Sequence, residues 1–164
     1  DWLIFRGALD RFGIQPRTLI GLRGIILGPF LHGSFRHLAT NTIPFVVLGW
    51  LVMVRGLGRF VMVSVITAVI SGLGTWLLGG SGSTHIGVSG LIFGYFGYIL
   101  LSGYFERTFS AIIWAVVVFL AYGGIIFGIL PQGNGISWQM HLFGLLGGAL
   151  AAYLLSEKNN RQLI

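Results

Sequence analysis

The sequence predicts an all-α, polytopic transmembrane helix bundle, and three observations carry that expectation. Hydrophobic residues make up 55% of the 164-residue chain and charged residues only 9%, against roughly 45–50% and roughly 25% in a soluble domain. The apolar residues gather into five segments, each close to the about 20 residues needed to cross a bilayer core of about 30 Å. The gaps between them are short, which forces consecutive segments to run antiparallel within one bundle.

In chain order, residues 1–36 interleave Arg6, Arg11, Arg17, Arg23 and Arg36 with Phe12, Ile14, Leu19, Leu22, Ile25, Ile26, Leu27 and Phe30. That mixture reads as an amphipathic segment in the membrane interface together with a first loop; a plain extramembrane loop with two short helices is the competing reading. The apolar stretch from Trp2 to Phe5 is too short for a signal peptide or a span, so a first membrane helix is expected to be mostly missing ahead of Asp1. Spans are expected near 37–54, 60–78, 86–105, 109–130 and 138–155, forming a catalytic bundle over 37–155. Between them lie "RGLGR", "GGSGSTH", Glu106 with Arg107, and "PQGNGIS" at 131–137; residues 156–164 form a polar tail.

The formal charge of +6 comes from ten basic residues against Asp1, Asp10, Glu106 and Glu157. No basic run or basic helix accompanies it, so the excess points to lipid headgroups and not to nucleic acid. Arginine and lysine are balanced between the two loop faces, so charge alone does not orient the chain. Cysteine is absent, which removes disulfides, thiol nucleophiles and thiolate metal sites.

Alternation makes 37–54, 86–105 and 138–155 parallel, and each carries polar residues in its first turns: His37 and Asn41, Ser89, and His141. At about 1.5 Å per residue, Ser89 and His141 fall at one depth, roughly 5 Å below the boundary. Polar side chains inside a bilayer are costly and face a bundle interior or a wet cavity, so a shared site is the economical reading. The i, i+4 spacing of His37 and Asn41 puts both on one helix face. Gly87, Gly90, Gly94 and Gly97, with Gly144 and Gly148, are small residues that let two backbones approach closely.

A serine beside a histidine base permits nucleophilic catalysis, and donors for a developing oxyanion are available from the Ser89 N–H near a helix start and from the His37 and Asn41 side chains. No acid stands where it would complete a triad, leaving a dyad. Phe93 is expected to pack, with a second role as a wall against the His141 ring. His85, four residues before Ser89, is expected one helical turn above it at the cavity mouth, and His32 is expected to anchor the interfacial segment. No HExxH pattern and no accompanying carboxylate support a metal centre, and no Asp lies in a span to serve an aspartyl protease.

His37-x-x-x-Asn41, Gly87-x-Ser89-Gly90 and His141-x-x-Gly144-x-x-x-Gly148, in that order, resemble the rhomboid intramembrane serine proteases of bacterial type, over about residues 12–155. The resemblance implies Ser89 as nucleophile, His141 as general base, and His37 and Asn41 around the oxyanion. It also implies a six-helix core whose first helix largely precedes Asp1, a site opening to the extracytoplasmic side, no cofactor, and residence in a bacterial inner membrane. Its implied partners are the lipid bilayer and transmembrane protein substrates. The Trp-Arg pair that many rhomboids carry in the first loop is replaced by "GIQPRTLIGLRGI", and Phe93 stands where some members have tyrosine. Two other readings are open at this point. One is a catalytically inactive rhomboid-like binding or quality-control factor, which would have no need of both Ser89 and His141. The other is a channel or transporter, which would need a polar line continuing to the opposite face.

Overall fold

The computed structural model describes residues 5–131 and 135–156. Among these the regular elements are all helical, apart from one isolated antiparallel bridge, Ile14 to His85. Five long helices form the bundle: α1, Phe35–Met53; α2, Leu57–Leu78; α3, Ser89–Glu106; α4, Phe109–Tyr122; and α5, Trp138–Leu154. Ser34 starts α1 by accepting a hydrogen bond from the His37 N–H at 3.1 Å, and Thr108 starts α4 in the same way from Ala111 at 3.3 Å. Such N-caps satisfy donors that the helix itself leaves open.

Three of the expected spans have limits that differ by three residues or more. The second was placed at 60–78, but α2 starts at Leu57, directly after Gly56 at φ +121° and inside the stretch expected as a loop. The third was placed at 86–105, but α3 begins at Ser89 because Gly87 sits at φ +111°, outside the helical region. The fourth was placed as one helix over 109–130. Instead the α-helix stops at Tyr122, and the chain continues as a tighter 3-10 helix over Gly123–Ile129 that begins at a Gly-Gly pair. Leu57–Leu78 and Phe109–Ile129 are long and apolar enough to cross a membrane on length and composition alone. The other three long helices differ for identifiable reasons. In α1 the first turns carry Arg36, His37, Thr40, Asn41 and Thr42, and α5 has 17 residues. The third, α3, is walled in by protein, with Tyr95, Phe96 and Tyr98 at most 1% exposed, so lipid-facing aliphatics give way to Gly, Ser and Tyr.

The centre of the bundle is α3, packed most extensively against α5. A side chain added at Gly144 would overlap the Gly90 carbonyl, and one at Gly148 the Gly94 carbonyl. The two backbones therefore touch, as small residues at membrane-helix contacts allow. Gly90 and Gly94 themselves make room for Ser71 and Thr67 of α2, and Gly97 for the Leu145 carbonyl. Gly87 lies outside this helix contact, which corrects its expected role: its missing side chain makes room for the His37 ring.

The segment before α1 is a run of short helical turns, with Ile14 buried and Leu19, Ile26 and Phe30 at least 73% exposed. It is sewn to the end of α2: the Arg17 guanidinium donates to the Leu77 and Gly79 carbonyls at 2.9 and 2.8 Å, and the Trp76 indole donates to the Thr18 carbonyl at 2.8 Å. At the opposite end of the bundle Glu106 pairs with Arg55 and, at 3.1 Å, with Arg59, closing the α1–α2 turn onto α3.

Candidate active site

Ser89 is the first residue of α3 and His141 stands in the first turns of α5. The glycine contact between these helices brings the Ser89 Oγ to 2.9 Å from the His141 Nε2. Both residues are buried, at 8% and 9% exposure. As the first helical residue, Ser89 holds a backbone N–H that lies outside the intrahelical pattern.

The imidazole is fixed on two further sides. Its Nδ1 lies 2.9 Å from the Gly128 carbonyl, and since a carbonyl only accepts, Nδ1 carries the hydrogen and Nε2 is left as the acceptor facing Ser89. The Phe93 ring stacks on it at 4.2 Å between centroids and 7° between planes. A side chain at Gly128 would come within 2.8 Å of Phe93 Cζ and 3.1 Å of His141 Nδ1. Gly128 therefore has to be a glycine for the carbonyl to approach. Sequence reading missed this residue, because a backbone acceptor leaves no side-chain signature; only the Gly-rich end of the fourth segment hinted at it.

His37 and Asn41 lie across the cavity from α5. A Cβ placed on Gly87 would fall 2.8 Å from the His37 Nε2 and 3.7 Å from the Asn41 Nδ2, so both groups converge beside the irregular segment that leads into Ser89. The Asn41 Nδ2 is buried with no partner, a donor that is available to a bound group. His37 meets His32 edge to face at 5.1 Å and lies within electrostatic reach of Asp10. Asp10 keeps one buried carboxylate oxygen unpaired. No acid was expected at the site from sequence, and Asp10 does not line the cavity; it lies beside Gly33, just ahead of α1, where an added Cβ would stand 3.8 Å from its Oδ2.

Ser89, His141, His37, Asn41 and Phe93 line one cavity of about 820 Å³, together with His85 and Ser137. Of the cap expected at 131–137, Gln132, Gly133 and Asn134 lie outside the described residues, while Gly135, Ile136 and Ser137 border the cavity. His85 is not one helical turn above Ser89 as expected, since residues before α3 are not helical; it pairs with Ile14 through its backbone. Burial lowers the His85 pKa from the usual histidine value, and burial followed by the neighbouring His37 lowers that of His32. Among the described residues, no three His, Asp or Glu side chains are placed to share a metal ion.

A family model for the rhomboid domain matches residues 21–158. The chain belongs to the rhomboid family. It is 47% identical over 161 residues to an uncharacterized protein of Mycobacterium tuberculosis (strain H37Rv), covering 93% of this chain and 67% of that one. An uncharacterized protein of Mycobacterium leprae is 44% identical over 168 residues, covering 96% of this chain and 66% of that one. A Bacillus subtilis protein named "Putative rhomboid protease YdcA" is 30% identical over 135 residues, covering 80% of this chain and 66% of that one. This rhomboid chain thus spans about two thirds of the length of these relatives. Rhomboid proteins are membrane proteins, and the two long apolar helices fit that setting.

Proposed function

We propose that this rhomboid chain is an intramembrane serine endopeptidase that cleaves transmembrane segments of membrane proteins through a Ser89–His141 dyad. The observation that carries the reading is the 2.9 Å contact from Ser89 Oγ to a His141 ring whose other nitrogen is held by the Gly128 carbonyl. In the acylation step Ser89 Oγ attacks the scissile carbonyl carbon and its proton passes to Nε2. The carbonyl oxygen becomes an oxyanion, to which the Ser89 N–H, the Asn41 Nδ2 and the His37 ring offer donors. His141 then gives the proton to the departing amine, leaving an ester on Ser89. A water entering the cavity gives its proton to Nε2 and attacks that ester, and the acid product leaves as His141 returns the proton to Ser89. The Gly128 carbonyl does the orienting work that a carboxylate does in a triad, without adding a charge to a membrane-embedded site.

On this reading the protein is multi-pass in a bacterial inner membrane, with all five long helices spanning the bilayer. The outer helices support it: Phe119 is 58% and Leu120 78% exposed on α4, a surface suited to lipid. The working partners are transmembrane substrates and the bilayer. Reconstitution with a transmembrane substrate tests the proposal: wild-type protein yields two fragments and Ser89→Ala yields none. Equal cleavage by both would refute it.

A further inference from the structure

Above the Ser89–His141 contact lies a second contact between the same two chain segments, four residues earlier in each. The His85 Nδ1 is 2.7 Å from the Ser137 Oγ, and the His85 Nε2 is 2.8 Å from the Ser83 Oγ. The hydrogens can be assigned. Ser83 spends its single hydroxyl hydrogen on the Gly80 carbonyl at 2.6 Å, so its oxygen accepts from His85 Nε2–H. A neutral histidine then accepts at Nδ1, and the Ser137 hydroxyl donates to it.

Ser137 occupies the N-cap of α5, yet its side chain makes no cap hydrogen bond. A serine there ordinarily accepts from a backbone N–H of the first turn; this one is turned to His85 instead. His85 is itself immobilised, since its backbone N–H and carbonyl both pair with Ile14 at 2.9 Å. Ser137 also accepts from the His141 N–H through its carbonyl, at 3.2 Å. The path from a fixed point beside α3 to the His141 backbone thus runs through one side-chain hydrogen bond. The neighbouring Gln139 side chain reaches the Leu78 carbonyl of α2 at 3.4 Å, and so does not tie α5 to the α3 lead-in.

We infer that Ser83, His85 and Ser137 are positioning residues: the His85–Ser137 bond sets where α5 begins relative to α3 and so holds His141 Nε2 at bonding distance from Ser89. The inference rests on the proposed dyad for its consequence in catalysis but not for its geometry, and the two can fail separately. Misplacing a base by a fraction of an ångström slows the chemical step without weakening substrate binding.

The test combines kinetics on a transmembrane substrate with 15N spectra of the histidine rings in the detergent-solubilised chain. His85→Ala and Ser137→Ala each lower kcat about three- to tenfold, with KM within about twofold, and the double variant falls no further than either single one. Ser137→Thr, which keeps the hydroxyl, and His85→Asn, which keeps an acceptor near Nδ1, recover most of the loss. Both alanine variants also shift the His141 ring resonances, although neither residue touches that ring. Unchanged His141 resonances in both alanine variants would overturn the inference, as would a loss of activity carried by KM alone. A wild-type chain that cleaves nothing would instead refute the peptidase reading, and the spectra would still decide this one.

Discussion

Ser89 and His141 act on each other at 2.9 Å within a buried contact, so their losses are expected not to add. Ser89→Ala, His141→Ala and the double variant each abolish cleavage to the same floor while remaining folded; residual activity in a single variant that the double one lacks would separate the two residues. Asn41→Ala removes a buried, unpaired donor. It is expected to lower kcat about 10- to 1,000-fold with little change in melting temperature; a change confined to KM would make Asn41 a binding residue. The residues of this pair, and the helix face holding His37 and Asn41, were legible in the sequence because each is a polar side chain set in an apolar segment. The Gly128 carbonyl was not, because any residue has one and only the fold says which carbonyl meets Nδ1. Asp10 was not legible either, since only the fold says which carboxylate lies within electrostatic reach of His37.

At the scale of elements, the α3–α5 contact decides whether the pair can form. Gly144→Val places a side chain into the Gly90 carbonyl and is expected to lower both melting temperature and activity, whereas Gly58→Ala, which meets nothing within 4 Å, changes neither. Comparable melting for the two variants would show that the helices do not touch at Gly144. The ion cluster at the other end separates stability from chemistry. Glu106→Ala removes the carboxylate that pairs with the partly exposed Arg55 and Arg59 and is expected to cost about 1–2 kcal/mol, yet to leave the reactivity of Ser89 unchanged per folded molecule. Five long apolar segments were readable from hydropathy and punctuation, and their helices lie within a few residues of the expected places. The exceptions have local causes. Gly87 delays α3 until Ser89, which puts the serine on the first helical residue and not the fourth. The Gly123–Gly124 pair lets the fourth segment tighten into a 3-10 helix, a change that hydrophobicity does not register.

For the molecule as a whole, pH links the histidines to stability. His85 and His32 have pKa values lowered in the fold, so the unfolded chain binds protons more readily than the folded one. Their contribution is therefore complete above the unfolded value of about 6.5 and is lost as pH falls through the lowered folded values. Melting temperature should be level above about pH 7 and decline below about 6.5. His85→Gln should reduce that decline, and an unchanged profile would remove His85 from the account. Ser89, His141, Asn41 and His85 are buried polar groups gathered at one cavity of a bundle that exposes many large apolar side chains, and they support the proposed role: a polar cavity inside a membrane protein, with one activated hydroxyl. Reaction of the purified chain with a fluorophosphonate, followed by mass mapping of the modified residue, tests that claim most directly. A single adduct on Ser89, absent from His141→Ala, is the expected result. An unmodified Ser89, or an equal adduct in His141→Ala, would contradict it.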